Sequence, residues 1–484
     1  MKNVILTIAL STLSLVPSFA QQRAGSPDGG ISTEMMSRLK TAYKVSPADK
    51  AMKNALAGTS IAVLARNSEN AAMIDTHFSD RVRTKGITDQ KSSGRCWLFT
   101  GLNVLRAKMI DKYNLPGFEF SQNYLFFYDQ LEKSNLFLQG IIDTRDLPAE
   151  DRMVDWLFSH PLSDGGQFTG VSNLIMKYGV VPSEAMPETF SSNNTSQMSS
   201  LITMKLREDG LKLREMYQDA LAGRKTLKKS ELQSVDASMM KAKEQALSEI
   251  YRFLVLCLGE PPVNFTWTRC DIDDNIVSTK EYTPKSFYDE FLGEDLEDNY
   301  IMIMNDPSRE YGRIYEIDYD RHVYDGHNWY YVNLPAERVK EIAIASIKDN
   351  TAMYFSCDVA KFYDRAKGTL DLNNFDYESL TGFEFDMDKE QRIRTHASGS
   401  SHAMTLIAVD IDKESGKPSK WMVENSWGPA AGYKGCLIMT DEWFDGYMFR
   451  VVAERKYVPQ DVLDMFNSEP IRLPAWDPMF APEN

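Results

Sequence analysis

The sequence predicts an α+β protein in which helices come first and strands later. Apolar residues recur at helical spacing from residue 96 to about 258. Beyond about residue 345 the pattern changes to short apolar or β-branched runs separated by Gly, Pro, Lys and Asp clusters. At 484 residues the chain exceeds what one compact core usually serves, so one elaborated domain or two or three subdomains are expected.

In chain order, residues 1–20 have the three parts of a secretory signal. Lys2 gives a positive start, residues 4–16 are mostly apolar, and Ser18-Phe19-Ala20 offers a small-x-small cleavage site. The apolar run is shorter than the roughly 20 residues a membrane span needs, and no later segment is long enough either. The mature chain is therefore expected to begin near Gln21, after cleavage at Ala20, and to be exported to the periplasm or the exterior. Residues 21–75 read as a polar, helix-leaning extension packed on the body.

Residues 76–190 form the first lobe. Trp97, Leu98, Leu102, Leu105, Met109 and Ile110 lie at helical spacing, so a helix from Cys96 to about Tyr113 buries one face. Ser92, Ser93 and Gly94 precede it as cap-like residues, and Asn114-Leu115-Pro116-Gly117 stops it. Residues 121–138 and 150–158 supply further helices. Residues 191–345 read as a mainly helical insertion. There Leu201, Met204, Leu211, Met216 and Leu221 alternate with charged residues, as in an amphipathic bundle with one solvated face; a partner-binding face is the sharper alternative.

Residues 346–465 supply antiparallel strands at 351–357, 403–410, 420–425, 435–440 and 447–453. Residues 466–484 end the chain. Two prolines in Leu473-Pro474-Ala475-Trp476-Asp477-Pro478-Met479 exclude regular helix or central strand, so an extended tail on the surface is expected.

Composition narrows function. The hydrophobic and charged fractions, 43% and 25%, are ordinary for a folded soluble protein. The net charge of −15 repels phosphate backbones, so no nucleic-acid partner is expected. Five cysteines, at 96, 257, 270, 357 and 436, are too few for a disulfide framework and read as mostly buried thiols. No His/Cys/carboxylate spacing matches a metal site, and no cofactor is expected.

The chemistry begins at Gln90-Lys91-Ser92-Ser93-Gly94-Arg95-Cys96-Trp97-Leu98-Phe99. A cysteine at a helix start gains from the partial positive charge there, which favours the nucleophilic thiolate. An imidazolium nearby favours it further. Gly94 leaves room for a substrate carbonyl, and Trp97 can seal the helix against the strand half. The Gln90 side-chain amide and the Cys96 backbone N–H fit an oxyanion-binding pair.

Of six histidines, His77, His160, His322 and His327 lie in polar or turn-like surroundings with no partner pattern. His396 sits in a Ser/Gly loop, whereas His402 opens an apolar strand that can hold its ring, and is the expected base. Asn425, at a strand end 23 residues later, can accept the imidazole N–H and fix its tautomer; Trp427 can shield that bond.

The chain resembles the papain-like cysteine peptidases, and within them the bleomycin hydrolase/aminopeptidase C branch. The resemblance rests on residues 90–99, 118–127, 177–182, 205–209, 423–428, 440–443 and 474–479. It implies a papain-like fold: a helical lobe carrying the cysteine and an antiparallel β-barrel-like lobe carrying His and Asn, with large helical insertions. It implies Cys96, His402 and Asn425 as a triad, Gln90 as oxyanion donor, and Gly165-Gly166 as the strand-like edge that pairs with the backbone of peptide substrates.

His402 follows Cys96 by 306 residues, where the papain pattern needs about 130–150, and the insertion absorbs the surplus. The branch implies a homo-hexamer around an internal cavity. It also implies a C-terminal arm in the cleft, whose terminal carboxylate, here on Asn484, holds the substrate amine and makes the enzyme an aminopeptidase. This tail departs from the family ending, with Pro482 and Glu483 before Asn484. An endopeptidase of the same fold, and less so a non-catalytic peptide-binding protein, are the alternatives.

Overall fold

The computed structural model describes residues 29–70, 75–115 and 117–479. The signal segment with Ala20 and the terminal residues 480–484, Asn484 included, lie outside the described residues. Contacts divide the chain into two units, Met1–Ala65 and Arg66–Asn484. In the first, helices Thr33–Ala42, Pro47–Gly58 and Ile61–Leu64 follow one another with no residue buried. The Ser46 hydroxyl accepts from Asp49 N–H while the Asp49 carboxylate accepts from Ser46 N–H, which starts the second helix reciprocally.

In the second unit helix Cys96–Tyr113 is central. Thirteen of its 18 residues are buried, not the single face its apolar spacing predicts, because it is covered by helix Phe168–Tyr178 and by the strand that begins at His402. Gly101 permits the closest approach: a methyl group there would lie 2.5 Å from Val171 Cγ2. Ser92, Ser93 and Gly94 do not cap this helix. Arg95 is its N-cap and no side chain caps it. Asn114 ends it in the left-handed region, φ 52°.

Helices Gln122–Asp143, Ser196–Leu221 and Lys229–Leu258 pack on one another. The second buries Met198, Ile202, Leu206, Leu213 and Tyr217, one stripe of three- and four-residue steps, whereas Leu201, Met204 and Leu211 face solvent. Beyond Leu258 residues 191–345 turn to strand. Phe265–Cys270 and Ile276–Tyr282 form a separate hairpin, and Tyr300–Met304, Arg313–Ile317 and Tyr330–Asn333 join the main sheet. Their β-branched and aromatic residues favour a pleated surface over a helix.

Among the described residues that sheet has twelve strands. Within it strand His402–Ile411 is hydrogen-bonded antiparallel to Met353–Cys357 on one side and Pro418–Glu424 on the other. Three pairings of the described residues are parallel: Cys436–Thr440, a strand expected to pair antiparallel, with Thr369–Leu370, and two among strands the sequence did not predict, Ile471–Leu473 with Tyr315–Ile317 and Tyr300–Met304 with Tyr330–Asn333. Long intervening segments permit them. One core gathers the helices up to Leu258 with part of the sheet, and a second gathers most strands after residue 350 with helices Ala336–Lys348 and Asp441–Tyr447.

The tail is inlaid rather than lying on the surface. Ala475, Asp477 and Met479 are buried. Asp477 pairs with Arg309 at 2.5 Å, Arg309 also pairs with Asp306 at 2.7 Å, and Arg450 donates to the Met479 carbonyl at 2.8 Å. Arg152 lies 4.4 Å above the Trp476 ring.

Gly101→Ala should destabilise the protein by about 1–3 kcal/mol in urea unfolding, because the added methyl overpacks Val171. A Gly→Ala change in an uncrowded helix would instead stabilise it.

Candidate active site

Two segments distant in sequence are fastened together at the site. Gln90 N–H donates to Ser426 O at 2.8 Å and Gly428 N–H to Thr88 O at 3.1 Å. The Ser426 hydroxyl donates to Gln90 Oε1 at 2.6 Å, and Gln90 Nε2 donates to Ser93 O at 2.7 Å. Gln90 is therefore buried with its amide orientation set, since its oxygen accepts and its nitrogen donates. One Nε2 proton serves Ser93, and the amide carries a second.

His402 and Asn425 are both buried, and His402 Nε2 lies 2.9 Å from Asn425 Oδ1. An amide oxygen only accepts, so Nε2 carries the proton and Nδ1 is the nitrogen left for a thiol. Asn425 Oδ1 also accepts from Ser426 N–H at 2.8 Å, which fixes its own direction. Trp427 is stacked on the His402 ring, centroids 4.7 Å apart, and covers that bond as the sequence suggests. His396, the rival base, is exposed in a turn with φ 59°.

Cys96 is fully buried at the first position of its helix. None of the five cysteines is in a disulfide. Burial, with Glu424 beside it, pushes the Cys436 thiol up to about 12, and burial also raises Cys257, so neither is a nucleophile near neutrality.

The helix start is held by residues the motif did not reveal. Arg95 is fully buried, forks onto Glu188 at 3.0 and 2.8 Å, and lies between the Phe99 and Phe126 rings. Gly94 is also constrained by packing: a methyl group there would lie 2.4 Å from the Asp164 carboxylate, which accepts from Gly94 N–H at 2.7 Å. Trp97 faces away from the expected strand half. Its indole N–H donates to Asp164 O at 2.9 Å and its ring meets His322 edge-on at 4.6 Å.

Gly165 and Gly166 follow at once. They line a cleft of about 640 Å³ together with Trp156, Leu162, His322 and tail residues Ala475, Trp476, Asp477 and Pro478. His322, which shows no partner pattern in the sequence, is buried against Asp129 with Nδ1···Oδ1 at 2.5 Å. Burial and the Lys133 cation push His322 down, so its imidazole is neutral near pH 7 and Nδ1–H donates to Asp129. Burial opposes charge on Asp129, but Lys133 and His322 outweigh it and hold the carboxyl below its usual range.

Residues 30–480 match the model of the Peptidase C1-like family. The chain is 40% identical to "Bleomycin hydrolase" of Homo sapiens over 82% of this chain and 86% of that protein. It is 36% identical to "Aminopeptidase C" of Lactobacillus delbrueckii subsp. lactis over 90% of this chain and 94% of that protein. The crystal structure of PepW from Lactobacillus rhamnosis HN001 superposes with a TM-score of 0.87 at 35% identity, covering 94% of this chain and 100% of that one.

Gln90→Ala should lower kcat about 10²–10³-fold with little change in the rate of Cys96 alkylation by iodoacetamide, measured side by side. A second expectation concerns His322. Its folded value lies below its ordinary 6.5, so the unfolded chain binds a proton that the folded one resists as pH falls below that value. Stability from this group is full above pH 6.5 and is lost on acidification. The urea-midpoint gap between wild type and His322→Gln should therefore narrow from pH 7.5 to 5.

Proposed function

The chain belongs to the Peptidase C1-like family, and on that premise we propose that it is an exported cysteine aminopeptidase acting on short peptides through Cys96, His402, Asn425 and Gln90. The names carried by its relatives, bleomycin hydrolase and aminopeptidase C, support the cysteine-type aminopeptidase class.

The Cys96 sulfur attacks the carbonyl carbon of the first peptide bond. The oxyanion is met by Gln90 Nε2 and the Cys96 N–H. His402, protonated at both nitrogens, gives the Nδ1 proton to the leaving amine as the C–N bond breaks, which leaves a thioester. Water then adds to the thioester while His402 Nδ1 takes its proton, and collapse releases the amino acid and the thiol. Asn425 keeps the ring in plane through both steps, and Trp427 keeps water from their shared hydrogen bond.

One observation carries the exopeptidase part. Tail residues 475–478 line the same cleft as the Gly165–Gly166 edge, and Arg309, Arg450 and Arg152 hold them there. A substrate cannot extend through space that the tail occupies, so its chain must begin near the nucleophile. Export rests on the signal pattern of residues 1–20, and a homo-hexamer rests on the family resemblance.

One fluorogenic peptide with a free and with an acetylated N-terminus tests the reading. The free form should be turned over about 10–100-fold faster, the value of a hydrogen-bonded charged amine; equal rates would sink the aminopeptidase assignment. Deleting residues 481–484 should shrink that preference. N-terminal sequencing of exported protein should begin at Gln21.

A further inference from the structure

Every carbonyl of residues 163–165 is tied down. Ser163 O accepts from Gln130 Nε2 at 3.2 Å and from Lys133 Nζ at 3.0 Å, Asp164 O from Trp97, and Gly165 O from Lys133 Nζ at 2.6 Å. The Asp164 carboxylate meanwhile accepts from Gly94 N–H and the Thr195 hydroxyl. Lys133 thus spans the segment leading to the glycine edge. It also lies 5.3 Å from the Trp97 ring centroid, one residue beyond Cys96.

The ammonium is kept in place from below. It pairs with Asp129 Oδ2 at 2.9 Å, one turn earlier on the same helix, while Asp129 Oδ1 accepts a hydrogen bond from His322 Nδ1–H. The His322 ring then fills the space under the edge. A methyl group on Gly166 would lie 2.4 Å from His322 Cε1, and one on Gly170 2.3 Å. Lys133 thus holds the Gly165 carbonyl, and Gly165 and Gly166 line the cleft.

We propose that Lys133, seated on the Asp129–His322 pair, is a positioning residue that sets the Gly165–Gly166 edge relative to the Cys96 helix start and so governs binding of peptide backbone along that edge. Two buried ionisable side chains, Asp129 and His322, with a half-buried lysine on them, are an expensive way to fill the space under two glycines, since apolar residues would pack as well without desolvating charge. Their common outlet is the pair of carbonyls that Lys133 holds. The Cys96–His402–Asn425 chemistry is untouched by this device; only the placement of the bound chain depends on it.

The proposal rests on the cysteine-peptidase reading, and the test separates the two. Wild type must first be labelled by a thiol-directed epoxide and must turn over one of the two fluorogenic peptides; failure there sinks the enzyme reading itself. Lys133→Gln and Asp129→Asn/Lys133→Gln are then compared on the substrate that wild type uses, per epoxide-titrated site. The double variant removes the cation without leaving a buried carboxylate unpaired, so it decides the matter if the single variant does not fold. Losing the charged donor should raise KM about tenfold or more, with kcat within about twofold and Cys96 alkylation by iodoacetamide unchanged. Lys133→Arg, which keeps the cation, should recover part of the loss. An unchanged KM, or a fall confined to kcat and alkylation, overturns the proposal.

Discussion

The site depends on two backbone hydrogen bonds, Gln90 N–H to Ser426 O and Gly428 N–H to Thr88 O. They join the segment entering the nucleophile helix to the loop carrying Asn425, across 336 residues of sequence. Side chains such as Gln90, Cys96 and His402 can act together only if they share one geometry to within a fraction of an ångström. Each lobe sets its own residues by its own core. This seam ties the two lobes directly, beside the packing of helix Cys96–Tyr113 on strand His402–Ile411, and the Ser426 hydroxyl on Gln90 Oε1 makes the amide orientation part of it.

Around the seam the protein spends buried charge where geometry matters. Arg95–Glu188 sits behind the helix start, Lys133–Asp129–His322 under the glycine edge, and Arg309 on the tail. Buried ion pairs add little net stability, because desolvation offsets their attraction, but breaking one leaves an uncompensated charge and is costly. Such groups therefore hold a position more firmly than they stabilise a fold. All three lie beside parts of the cleft wall rather than at the reacting atoms.

Much of this was legible in the sequence. The five strands expected after residue 350 appear within two residues of their expected bounds, because alternating apolar runs between turn residues have few other ways to fold. The triad candidates were legible for a different reason: thiol, imidazole and amide each stand at the start or end of a strongly patterned element. The helical stripe in residues 196–221 was not, since several apolar residues lie off the buried face and periodicity alone could not choose among them. His322 was missed because its partner, Asp129, is 193 residues away and spacing carries no trace of it.

By itself the sequence singled out the candidates for chemistry and most of the helices and late strands, for both follow from residue type and local periodicity. Tertiary structure alone decided why Gly94 must be glycine, what seats Arg95 and Lys133, and that the tail is inlaid beside the glycine edge. Each of these depends on atoms brought together from distant parts of the chain, where close packing and the cost of unpaired buried charge act only after the two lobes have met.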